Sequence, residues 1–75
     1  MKITIGTIEV EITAKDTRGY YSDNEATSAV LNTIAHHLFA GSDHYNGRNL
    51  VYQADEAYRI AEQMCNKAVE LDRAS

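Results

Sequence analysis

Between Asn49 and Arg73 the apolar residues recur at Leu50, Ala54, Ala57, Ala61, Met64, Ala68 and Leu71, in alternating steps of four and three. A chain that repeats at this interval is an α-helix with one apolar stripe. Val51, Tyr58, Cys65 and Val69 widen the stripe on one side and Ile60 widens it on the other. At about 100° per residue, the apolar arc spans roughly half the helix circumference. One neighbour is too narrow to cover an arc that broad. The rest of the chain is therefore read as what covers it.

With 75 residues the chain is one domain at most, near the size at which a single core only just offsets chain entropy. Its one cysteine rules out an internal disulfide, which suits a reducing cytosol. No apolar run approaches the roughly 18 residues of a membrane span. The amino terminus opens as a strand without a signal-peptide core, so a complete, unprocessed, cytoplasmic product with no membrane contact is expected. The formal net charge is −4 and the seven basic residues are scattered from Lys2 to Arg73. Direct nucleic-acid binding is disfavoured, because phosphate neutralisation needs clustered cations. The acidic balance suits a protein partner with a basic surface.

Residues 2–13 read as a β-hairpin around Gly6-Thr7, with glycine supplying the positive φ of a type II′ turn. That register places Ile5 opposite Ile8, Ile3 opposite Val10 and Met1 opposite Ile12 on one face. Thr4 then meets Glu9, and Lys2 meets Glu11 as an opposite-charge pair, on the other. Two strands alone are unstable in water, so the apolar face must lie on helices, on a second copy or on a partner. Residues 14–21 form a polar connector ending in Tyr20-Tyr21, which either cap the core or anchor a partner. Ser22-Asp23-Asn24-Glu25 is a capping box that opens a helix over residues 23–40. Gly41 is its expected stop, and residues 41–48, with Asn46-Gly47, are the expected loop. The terminal helix takes residues 49–73. The expected fold is thus α+β: an amino-terminal two-stranded antiparallel hairpin followed by an antiparallel helix pair, ββαα.

The sequence holds no Gly-rich phosphate loop and no nucleophile elbow. His36, His37, Asp43, His44 and Cys65 form the one cluster worth testing for a metal. Adjacent histidines on a helix diverge by about 100°, and only His37 with His44, across the helix end, is placed to share an ion. Cys65 lies on the apolar stripe, where it acts as a small hydrophobe rather than a nucleophile. No metal, no cofactor and no catalysis are expected. A helix-turn-helix reading fails as well, because the exposed first turns of the second helix carry Asp55 and Glu56 where DNA-reading cations belong.

In overall kind the chain resembles the short acidic accessory proteins of phages and mobile elements, among them anti-CRISPR inhibitors. The features that carry the likeness are the opening hairpin Met1 to Ile12, the two-helix remainder and the acidic balance. The resemblance implies a non-catalytic protein that blocks a host nucleic-acid-handling complex by direct binding. Carboxylates on the outer face of the terminal helix (Asp55, Glu56, Glu62 and Glu70) would enter a basic groove, and Tyr20, Tyr21, Tyr45 and Tyr52 would anchor the contact. The alternative expectation is a structural or regulatory homo-oligomer, antitoxin-like roles included, whose apolar helix face and hairpin edges are buried in a homodimer.

Overall fold

A computed structural model describes residues 1–74 of the chain; Ser75, the last residue of the expected domain, lies outside them. Strands β1 (Lys2–Ile5) and β2 (Ile8–Glu11) are followed by a short helix α1 (Ala14–Thr17) and two long helices, α2 (Asp23–Gly47) and α3 (Val51–Ala74). The α+β class expected from the sequence is what the chain adopts.

The hairpin pairs Lys2 with Glu11, Ile3 with Val10, Thr4 with Glu9 and Ile5 with Ile8. Gly6 takes φ +59° and Thr7 does not enter the positive-φ region, the combination a type II′ turn requires. One further pair extends the ladder: the Ile12 amide donates to the Met1 carbonyl at 2.7 Å, and the Met1 ammonium donates to the Ile12 carbonyl at 3.1 Å. The expected Lys2–Glu11 ion pair is replaced by a diagonal one, with Lys2 Nζ 3.3 Å from Glu9 Oε1. Strand twist brings the diagonal neighbour within reach of a long side chain. Both partners are exposed, so the pair contributes little stability.

Ile5, Val10 and Ile12 join Leu31 and Ala35 of α2 and Ala61, Met64 and Ala68 of α3 in the core. Val30, Ile34, Leu38 and Ile60 seal its margin. The two long helices run antiparallel, as shown by Phe39 against Tyr58 (ring centroids 5.2 Å apart) and Ser42 against Ala54. Small side chains fill the seam between them: Thr27, Ser28, Ala35 and Ser42 on one side, Ala54, Ala61 and Ala68 on the other. This lets the helix backbones approach closely.

Three boundaries differ from the sequence expectation. The connector contains α1, capped by Thr13: its Oγ1 accepts from the Asp16 amide at 3.4 Å while Asp16 Oδ2 accepts from the Thr13 amide at 2.9 Å. This is a full capping box; the one expected at Ser22 forms only in half, with Ser22 Oγ accepting from the Glu25 amide at 3.1 Å and no return bond to the Glu25 side chain. Next, α2 does not stop at Gly41. It continues through the residues expected to form a loop, because they have packing of their own. Ser42 is buried and donates from Oγ to the Ala54 carbonyl at 2.9 Å, and Tyr45 lies beside Leu38 and Ile60. Glycine inside a helix costs about 1 kcal/mol relative to alanine, and the buried hydrogen bond offsets it by about that much.

The real stop is Asn49, at φ +61°. The Asn49 amide donates to the Asn46 carbonyl at 3.0 Å and the Leu50 amide to the Tyr45 carbonyl at 2.9 Å, the two bonds of a Schellman motif. The Leu50 carbonyl then accepts from the Ala54 amide at 3.0 Å, so α3 begins at Val51 rather than at Asn49.

Candidate functional site

The hairpin turn meets the middle of α3 at Gln63, and an open cleft of about 320 Å³ lies between the turn and the amino-terminal half of the helix. Tyr52, Asp55, Glu56, Arg59, Ile60 and Gln63 form its helical wall, and Gly6 and Thr7 form the opposite rim. These helix positions follow from spacing: steps of three and four from Tyr52 keep them on one face. Gly6 supplies the positive φ of the turn, and the end of the exposed Gln63 side chain lies against it. A Cβ there would stand 2.8 Å from Gln63 Oε1.

Three of the eight residues singled out from the sequence, Tyr52, Asp55 and Glu56, line this cleft. Tyr45 stands next to it, in a second depression that shares Glu56 and Ile60 with the first. One end of the molecule thus collects two tyrosines and two carboxylates. Tyr52 is 78% exposed. Asp55 and Arg59 stand four residues apart, the spacing of a helical ion pair. Among the described residues, Asp55, Glu56 and Arg59 make no ion pair at all. The cleft therefore presents two unneutralised carboxylates and one free guanidinium.

The other four candidates lie elsewhere. Glu70 is 3.3 Å from Lys67 Nζ and borders a shallow depression with Thr4, Ile5 and Gln63. Glu62 is exposed on the opposite edge of α3. Tyr20 rests beside Asp16, Val30 and Ile34, whereas Tyr21 is fully exposed and caps nothing. These tyrosines precede α2 while Tyr45 lies in its last turn, which separates them by roughly 35 Å of helix. The four tyrosines cannot act as one anchor.

Arg59, Ile60 and Gln63 were legible as outward neighbours of Tyr52 and Asp55, by helical spacing alone. Gly6 and Thr7 were not. No feature of the sequence says which part of the terminal helix the hairpin turn overlies.

His37 and His44, expected to face each other across a helix end, sit seven residues apart on one continuous helix. Their Cα atoms are therefore about 10 Å apart along its axis. Among the described residues, no three His, Cys, Asp or Glu side chains are placed to hold a metal ion. No helix among them is long and apolar enough to cross a membrane. Asp16 is the acid with a displaced titration: the backbone amide of Thr13, then its hydroxyl, hold the carboxyl below the ordinary aspartate range. That displacement belongs to the α1 cap and not to the cleft. Compared with protein-family models, with curated proteins and with solved structures, the chain matches none.

Proposed function

We propose that this chain is a non-catalytic interaction protein of the phage-encoded anti-CRISPR type, which blocks a host nucleic-acid-handling complex by occupying a basic surface. The observation that carries the reading is the gathering of Tyr45, Tyr52, Asp55 and Glu56 at one end of the molecule, around an open cleft whose carboxylates are unpaired. An arginine or lysine from a partner would enter between the hairpin turn and α3. Its charge would meet Asp55 and Glu56, and its stem or guanidinium plane would lie on the Tyr52 ring. Glu62 and Glu70 extend the negative field along α3, which favours rapid encounter with a cationic groove more than it adds affinity.

The test compares the protein with its Asp55→Lys/Glu56→Lys variant, each immobilised and exposed to bacterial lysate. The expected result is a nucleic-acid-handling complex retained by the parent, eluted by moderate salt, and lost by the variant at unchanged helicity. Retention of the same proteins by both, or of no such complex by the parent, would overturn the reading.

A further inference from the structure

The hairpin covers one flank of the helix pair, the one carrying Ile60, Gln63 and Lys67 of α3. On the other flank Val51, Tyr58, Cys65 and Val69 fall in steps of seven, seven and four, within an arc of about 40°. Val51 is 60% exposed, Tyr58 and Val69 are each 49% exposed, and Cys65 is half-buried. Phe39 of α2 meets the edge of Tyr58 and continues the patch, and Leu50 adds to its end. Among the described residues no element covers this stripe.

We infer that a second copy of this chain covers it, α3 packing on α3 about a two-fold axis. A folded monomer of 8.4 kDa is expected to expose about 4,600 Å², by the scaling of accessible surface with mass. This chain exposes 5304 Å² and is elongated, 42 × 21 × 17 Å. The excess of roughly 700 Å² is close to the ~800 Å² that each partner contributes to a standard interface. Three of the exposed apolar side chains, Val51, Tyr58 and Val69, lie along one line on α3, with Val51 and Tyr58 at the seven-residue interval by which helices pack on one another. Pairing is antiparallel, which opposes the two helix dipoles. The acidic cleft faces away from this seam, so the dimer would present two clefts.

Sedimentation equilibrium over a micromolar concentration series tests the proposal on the full chain. A mass of twice the monomer is expected, with Val69→Glu raising the dissociation constant about a hundredfold or more, because it would bury an unpaired carboxylate. Val69 is half exposed in the monomer, so the variant should keep the parent's helicity. The reaction rate of the Cys65 thiol with a disulfide reagent gives a second readout: it should fall as parent concentration rises and stay constant for Val69→Glu. A monomer mass throughout, or a dimer that the substitution leaves intact, would overturn the proposal. Neither result depends on whether a basic partner binds the cleft.

Discussion

At the scale of single residues, the least replaceable position in the connection between the long helices is Asn49. It sits at φ +61°, where a side chain with a Cβ crowds the backbone, and asparagine is the residue other than glycine that bears this most readily. The two Schellman hydrogen bonds depend on that left-handed turn. Asn49→Val should therefore lose about 1–2 kcal/mol of folding stability, the cost of forcing a β-branched residue into the left-handed region. Asn49→Gly should hold or gain stability. Urea denaturation of the three proteins measures both, and equal midpoints for Val and Gly would show that the turn is not held in this conformation. The asparagine was visible in the sequence, but Asn46-Gly47, three residues earlier, carries the stronger turn signal. Local chemistry favoured the wrong pair because the side chains that keep the helix going, Ser42 and Tyr45, find their partners across the helix seam.

Among the elements, the hairpin was readable to the residue because a slip of one position would have sent Ile3, Ile5, Ile8 and Val10 to the solvent face. Helix ends carry no such penalty, so Gly41 was read as a stop when it is an interior residue. The difference can be measured by the sign of one substitution. A Cβ at Gly41 meets nothing within 4 Å. Gly41→Ala should accordingly stabilise the protein by about 1 kcal/mol, the propensity gap between the two residues. Were Gly41 a left-handed helix terminus, the same change would destabilise it. Helix α1 offers a pH test. The Thr13 amide and hydroxyl hold the Asp16 carboxyl below its ordinary range, so the cap favours the ionised form. Its contribution is complete above the pKa of an unfolded-chain aspartate and is lost as pH falls through the lower, folded value. Amide protection factors at residues 13–17, with the intrinsic pH dependence of exchange divided out, should fall over that acidic window, and Asp16→Asn should remove that fall. Among the cleft's parts, the α3 residues were legible by period, whereas the opposing turn depended on how the hairpin settles on the helices, which is a tertiary outcome.

For the molecule as a whole, the composition of the core sets how much damage it withstands. Half of its fully buried apolar residues are alanines (Ala26, Ala35, Ala54, Ala61 and Ala68), which let the helices approach but bury little surface each. The large contributions fall to few side chains, Leu31 and Met64 foremost, both completely buried. A chain of this length has a total stability of roughly 4–11 kcal/mol. Leu31 touches the region where both long helices and the hairpin meet, so removing it leaves a cavity that alanine-lined walls are poorly able to fill by collapse. Leu31→Ala is expected to cost about 2–5 kcal/mol, the range for a buried leucine truncation and a large share of the total. The transition followed by helicity in urea should move to a markedly lower midpoint with an unchanged slope, since the surface exposed on unfolding is nearly the same. A loss below 1 kcal/mol would mean that the seam of small residues, rather than the junction at Leu31, holds hairpin and helices together. The size of the shift also bears on assembly. If two copies share the α3 flank, the parent's midpoint rises with protein concentration and the truncated variant regains part of its loss at high concentration, because association stabilises only the folded chain.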